Sequence, residues 1–337
     1  MNIEKKRTRI VKFYETGTAE VLKIEEVDLP EPSENEVRIK VDAIGLNRAE
    51  VAFRSGAYLE TPNFPSLIGY EASGVVEAVG NKVTSVEIGD KVSTIPSFSM
   101  NDYGVYGETA IVPEHAVSNY PKNLTSEEAT AIWMPFITAY GGIVTNGKIK
   151  KDDAVLITAA SSSVGFAAIE ITKLKGGIAI ATTRKRAKKQ QLLDAGADHV
   201  IVTEEEDLVD RVMEITNEKG ANIIFDPISG PIIETLTKAA APLGRIIEYG
   251  SLSSESAKFP FGQMLQKRLT IQGYILMDIT TNPEELKPAK QFIFEALEKR
   301  KLTPTIDKTF DFEDIVEAHK YMESNQQLGK IIVKVSS

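Results

Sequence analysis

The chain has 337 residues, 42% hydrophobic and 26% charged, with a formal net charge of −9, three histidines and no cysteine. That length accommodates two domains with cores of their own, and the lack of cysteine excludes disulfides, thiolate nucleophiles and sulfur-ligated zinc. The acidic balance argues against a duplex nucleic-acid partner, which draws on an excess of Lys and Arg to neutralise phosphate. No apolar run of about 18 residues is present, so no membrane span is expected. The basic N-terminus lacks an apolar stretch behind it, which points away from a secretory signal and makes the cytoplasm the expected location. His115, His199 and His319 are too scattered for metal-ligand spacing and read as structural or surface residues; no metal site is expected.

In chain order, the first third reads as β-rich. The runs Glu36–Ala43, Gly74–Val79 and Lys91–Ile95 are separated by turn signals such as Gly80-Asn81 and Gly89-Asp90, and no helix of length precedes residue 125. Thr125 followed by Glu128 forms a capping-box signature and opens a helical stretch through Tyr140. Strand-like and helical runs then alternate. The strands are Ala154–Thr158, Gly177–Thr183, Val200–Thr203, Ile223–Asp226, Arg245–Tyr249 and, after a longer loop, Leu269–Leu276. The helices are Val164–Lys175, Lys188–Ala195, Leu208–Asn217 and Pro231–Ala241. Such alternation predicts an α/β fold with a doubly wound parallel sheet. Helices over Glu284–Lys299 and Glu313–Glu323 and a strand over Lys330–Val335 close the chain. The predicted division places the nucleotide domain at residues 134–276, inserted into a β-rich substrate domain made of 1–133 and 277–337.

The first strand of the alternating region ends in Ala159-Ala160-Ser161-Ser162-Ser163-Val164-Gly165 and enters a helix. Small residues there let the backbone approach a pyrophosphate, and the helix N-terminus offers free N–H groups and positive potential. Serines stand where glycines usually do, so the context of strand, tight turn and helix carries more weight than the motif itself. An NAD site usually places Asp or Glu at the end of the second strand. Here Thr183 leads instead into Arg184-Lys185-Arg186-Ala187-Lys188-Lys189, which suits the 2′-phosphate of NADPH. Ser161, Ser162, Ser163, Val164, Thr183, Arg184 and Lys188 are the expected contacts, joined by Gly250 and Ser251 past a later parallel strand. Asp226, followed directly by Pro227 and a glycine-containing turn, reads as structural.

Several blocks, in order, resemble the medium-chain dehydrogenase/reductase superfamily, in its zinc-lacking quinone oxidoreductase (zeta-crystallin-like) branch. They are Gly45-Leu46-Asn47-Arg48-Ala49-Glu50, Arg54-Ser55-Gly56, Ile68-Gly69-Tyr70-Glu71-Ala72-Ser73-Gly74 and Glu87-Ile88-Gly89-Asp90-Lys91-Val92. Thr138-Ala139-Tyr140, Asp194-Ala195-Gly196-Ala197-Asp198 and Gly329-Lys330-Ile331-Ile332-Val333 extend the resemblance to essentially the whole chain. It implies a Rossmann domain inserted into a GroES-like substrate domain. The zinc-dependent members hold their metal with Cys, His and Cys; the matching positions here are Asn47, Tyr70 and Met134, which do not make a ligand set.

Without a Lewis acid to stabilise an alkoxide, the resemblance implies zinc-independent hydride transfer from NADPH to a quinone or a C=C bond conjugated to a carbonyl. Asn47 is the implied catalytic residue and a cofactor contact, able to hydrogen-bond a substrate oxygen. Thr138 and the backbone of Ile275 and Leu276 are implied cofactor contacts. The branch's usual Asp and Tyr after the asparagine are replaced by Glu50 and Ala52, leaving Tyr58, Tyr103 and Tyr106 as other sources of a phenol. Glu71 reads as an orienting or salt-bridging group outside the catalytic set. Two further readings stay open: a 2-enoyl thioester reductase, and a non-catalytic NADPH-binding sensor. A homodimer is implied, paired through the edge strand Leu269–Leu276.

Overall fold

Alternating apolar residues shape the N-terminal part of the chain. β1 (Arg7–Lys12) and β2 (Lys23–Asp28) make an antiparallel ribbon, and β3 (Glu36–Gly45) buries Val37, Ile39 and Val41 from its alternating half. β4 (Glu71–Val79), β5 (Lys91–Thr94), β6 (Thr109–Pro113) and β7 (Val117–Asn119) follow. The next run is apolar on both faces: β8 (Ala154–Ile157) is buried throughout, as a strand covered by helices on two sides must be. After it come β9 (Ile178–Thr183), β10 (His199–Val202), β11 (Ala221–Asp226), β12 (Ala240–Glu248) and β13 (Thr270–Gly273), and then β14 (Ile306–Asp311) and β15 (Lys330–Lys334). The computed structural model describes residues 6–335.

The chain divides into two units: one runs through Met134 and resumes at Pro304, and the other is Pro135–Thr303. The first is built on a seven-stranded sheet with the order β14-β15-β3-β4-β5-β7, in which β6 also pairs with β3. The second holds six parallel strands in the order β10-β9-β8-β11-β12-β13. That order reverses between β8 and β11, the switch point at which doubly wound sheets bind nucleotides. Its core gathers Leu156, Ile180, Ile201, Ile224, Leu236 and Ile246, each contributing roughly 1.5–3 kcal/mol when fully buried. Among the described residues no helix is long and apolar enough to cross a membrane.

Four expectations change. A helix, Arg48–Ser55, precedes residue 125; its buried residues are Glu50, Phe53 and Arg54, two of them charged, so no apolar stripe announces it. The capping box at Thr125 and Glu128 forms, but the helix it opens stops at Ala129; a second runs Trp133–Tyr140 and passes into a π-helical turn, Gly141–Asn146. The edge strand is Thr270–Gly273 rather than Leu269–Leu276: the chain leaves the ladder after Gly273 and, after three further residues, enters a short helix, Met277–Thr280. The boundary expected after 276 lies at Thr303. Helix Pro283–Glu298 stays with the second unit: Phe292 packs 5.3 Å from the Tyr140 ring, and the Thr303 N–H donates to Glu170 at 3.1 Å. The second unit, Pro135–Thr303, is thus longer than the expected nucleotide domain of 134–276.

His319, on helix Ile315–Glu323, has no exposed surface and no hydrogen bond to either ring nitrogen among the described residues. It stands edge-on to Tyr106 at 5.8 Å. Burial, aided by the positive charge of Arg54, holds its pKa down at about 3 against an ordinary 6.5. A lowered folded-state value means stability that is complete above pH 6.5 and is lost as pH falls towards 3. His319→Phe should therefore gain about 3 kcal/mol relative to the parent between pH 8 and pH 4, read by urea unfolding at both; an unchanged difference between the two proteins would contradict it.

Candidate functional site

In the second unit, the turn after β8 is built for close approach. Ser162 is the N-cap of helix Ser163–Leu174, and its Oγ accepts the Gly165 N–H at 3.1 Å. Gly165 has no substitute: a Cβ there would lie 2.4 Å from the Ala160 carbonyl oxygen. Ala159 enters the turn with a φ of 45°, an uncommon conformation for a residue with a side chain. Ser161, Ser162, Ser163 and Val164 are half-buried around the helix N-terminus, whose unpaired N–H groups and dipole favour an anion.

Because the strands are parallel, the residues expected from sequence at the ends of β8, β9, β12 and β13 share one edge of the sheet. Thr183 ends β9 buried, with its hydroxyl donating to the Lys185 carbonyl at 3.4 Å. Arg184 and Lys185 follow, exposed and without an ion pair among the described residues. Lys188 reaches back to the serine turn, its Nζ donating to Ser161 Oγ at 3.4 Å. Arg186 does not join them: it pairs with Glu205, beyond β10. Gly250 and Ser251 follow β12, exposed; Ile275 is 42% exposed and Leu276 is buried beyond β13. Thr138 is buried on helix Trp133–Tyr140.

Asp226, in register with Glu248 at this edge, is structural as its sequence context suggests: Oδ1 accepts from Thr158, and Oδ2 accepts the Ser229 N–H at 2.7 Å. Burial and then the Asp226 charge push Glu248 up to about 8.

Asn47 lies in the first unit, amid a buried polar cluster. Its Oδ1 accepts from Lys330 Nζ at 2.5 Å, while its Nδ2 donates to the Gly45 carbonyl at 3.2 Å and to Glu50 Oε1 at 3.1 Å. Lysine only donates and a backbone carbonyl only accepts, so Lys330 and Gly45 fix which amide atom is which. Lys330 is also ion-paired with Glu71 Oε2, with both side chains 1% exposed; Glu71 Oε1 accepts the Met134 N–H at 2.8 Å. The lysine stem passes over Gly45, where a Cβ would meet Lys330 Cε at 2.7 Å. The salt bridge read for Glu71 is thus present.

Of the tyrosines suggested as phenol donors, Tyr58 lies beside this cluster, its hydroxyl 3.4 Å from that of Tyr70, whose N–H donates to Glu50. Tyr103 donates to Glu36, and Tyr106 is buried against His319. Lys330 itself was absent from the sequence-derived site. The available signal was a lysine opening an otherwise apolar strand, Lys330-Ile331-Ile332-Val333.

Glu50 has no exposed surface, and its Oε2 has no hydrogen bond among the described residues. Burial pushes its carboxyl from 4.5 up to about 7, against the opposing pull of Lys330 and the hydrogen bonds from Asn47 and Tyr70. A raised carboxyl value is retained as stability at low pH and lost as pH climbs from 4.5 to about 7. Glu50→Gln should accordingly gain about 2–3 kcal/mol on the parent between pH 5 and pH 8, measured by chemical unfolding; a pH-independent difference would refute this.

Two family profiles match the chain: "Alcohol dehydrogenase GroES-like domain" over residues 33–122 and "Zinc-binding dehydrogenase" over 195–333. The human (Homo sapiens) quinone oxidoreductase is 29% identical over 330 residues, covering 97% of this chain and 98% of the relative. The crystal structure of the Escherichia coli quinone oxidoreductase complexed with NADPH superposes with a TM-score of 0.89 at 28% identity, covering 97% of this chain and 100% of that one. A structure described as an NAD-dependent alcohol dehydrogenase superposes with a TM-score of 0.88 at 30% identity, with 97% and 100% coverage. With its Rossmann sheet, its GroES-like sheet and full-length likeness to such enzymes, the chain belongs to the medium-chain dehydrogenase/reductase superfamily, in the quinone oxidoreductase branch.

Proposed function

We propose that this protein is an oxidoreductase that uses NADPH, without zinc, to reduce a quinone or an α,β-unsaturated carbonyl compound. The observation that carries the reading is the end of β9, where Thr183 leads into exposed Arg184 and Lys185, without an ion pair among the described residues, beside a serine turn that Lys188 reaches. Where NAD-specific folds place an acidic side chain against the ribose hydroxyls, this chain offers positive charge suited to a 2′-phosphate. That favours NADPH over the NAD named for one structural neighbour, and agrees with the NADPH named for another.

The turn fits the cofactor's pyrophosphate: Gly165 closes helix against strand, and the helix N-terminus presents N–H groups. Ser161, Ser163, Val164, Gly250 and Ser251 line the same sheet edge; Asn47, Thr138, Ile275 and Leu276 complete the proposed contacts. When bound, NADPH supplies a hydride, which with one proton from solvent converts a quinone to a hydroquinone. The protein's part is to bind, orient and exclude water.

The zinc implied by one family profile does not fit these residues. Asn47, Tyr70 and Met134 stand at the ligand positions, Asn47 Oδ1 and Glu71 Oε2 are both engaged by the Lys330 ammonium, and the described residues contain no cluster of His, Cys, Asp or Glu able to hold a metal. A thioester reductase would need a phenol beside the reacting carbon; the Tyr58 hydroxyl, 3.4 Å from that of Tyr70, is the candidate nearest the Asn47 cluster. Exposed Leu252, Phe259, Phe261 and Leu265 precede the edge strand β13 in the chain and favour pairing with a second copy; sedimentation should show a homodimer, and a monomer at micromolar concentration would oppose it.

Titration by nicotinamide fluorescence should show NADPH binding well ahead of NADH. Arg184→Ala should weaken NADPH about ten- to a hundredfold, as expected for a charge-assisted hydrogen bond of roughly 1.5–3 kcal/mol, and leave NADH unchanged. Equal affinities in the parent would remove the phosphate assignment, while tight NADPH binding with no turnover on quinones or enals would favour a sensor.

A further inference from the structure

The cluster around Asn47 contains a cation with no exposed surface to spare. Lys330 opens β15, where it lies next to the end of β3: the Leu46 N–H donates to the Ile331 carbonyl, and Ile332 is in register with Gly45. Its stem runs across the bare Cα of Gly45 and its ammonium ends between Asn47 Oδ1 and Glu71 Oε2. Three chain segments remote in sequence are shaped to bring that one charge to that one amide. A salt bridge with Glu71 alone would not need Asn47 as a second acceptor, nor the amide turned so that its NH2 is occupied by Gly45 and Glu50.

We propose that Lys330 is a positioning residue for hydride transfer: its buried ammonium, anchored by Glu71, locks the Asn47 amide so that only an oxygen lone pair remains to meet the bound molecule. This rests on the reading of Asn47 as the catalytic contact. An amide has two N–H donors and two acceptor lone pairs. Both donors are committed, and Lys330 takes one lone pair. What remains accepts a hydrogen bond and cannot give one. The partner it selects is a hydroxyl or an amide N–H, which the nicotinamide half of the cofactor carries; a quinone carries neither.

The test uses the full chain and two readouts. With 15N-lysine labelling, the parent protein should show one slowly exchanging ammonium signal at neutral pH, since exposed lysines exchange too fast to be seen. The signal should disappear in the double variant Lys330→Met, Glu71→Gln, which removes the pair without leaving the Glu71 carboxylate buried and unpartnered. No protected signal would overturn the geometry whether or not the protein reduces quinones. In the double variant, kcat should fall at least tenfold while the KM for quinone and the melting temperature stay near those of the parent. A purely structural salt bridge predicts parental kcat once stability is restored, and that result would overturn the positioning role. Should the double variant not fold, the parent's Asn47 side-chain amide supplies the decision. Its two protons should be protected from exchange and distinct in shift, and rapidly exchanging protons would overturn the proposal. A parent inactive on every quinone and enal but with both signals protected would refute the reductase reading and leave the locked amide standing.

Discussion

The ammonium of Lys330 lies 1% exposed against a carboxylate equally buried, and much of the first unit is arranged to permit it. Removing an ion from water costs several kcal/mol even after relaxation. The expense is offset when the opposite charge is in contact and the remaining donors and acceptors are satisfied. Glu71 supplies the charge, Asn47 and the Met134 N–H supply hydrogen bonds, and Gly45 supplies the space. Glu50, in the same cluster, lacks such compensation for its second oxygen, and its carboxyl consequently sits near neutrality on the pH scale. One buried cation thus sets both the orientation of the amide and the electrostatic balance around it.

The second unit solves a different problem by backbone geometry. A pyrophosphate site needs the chain close, the helix end open and no side chain in the way. Gly165 meets the first need, and the serines meet the second only in part, because Ser162 takes the Gly165 N–H for its own cap. Charge beyond β9 complements the turn. Arg186 is drawn away by Glu205, while Arg184 and Lys185 stay exposed, without an ion pair among the described residues, and Lys188 reaches Ser161 in the turn. The basic run is therefore divided by the structure.

Much of this was legible before any coordinates. The alternation of apolar strands and helices from Ala154 to Tyr249 fixes the parallel sheet, because both the spacing and the continuous apolar character of such strands are local properties. The serine turn and the basic run could be placed for the same reason. What escaped depends on tertiary contact. Helix Arg48–Ser55 buries Glu50 and Arg54, so its inward face reads as polar. Helix Pro283–Glu298 has an ordinary amphipathic pattern that does not say which unit it covers; Tyr140 against Phe292 decides that. Lys330 is 283 residues from Asn47, and no periodicity links them. The sequence-based view of Asn47 as a donor to a substrate oxygen also omitted what its neighbours would already have claimed.

The most direct test of reductase function is single-turnover mixing of the protein with NADPH and a simple quinone, following loss of the reduced nicotinamide's absorbance. Saturable oxidation that is slower when the transferred hydrogen of NADPH is deuterium is the predicted result. Tight NADPH binding with no oxidation beyond the uncatalysed rate, by any quinone or enal tried, would contradict the account.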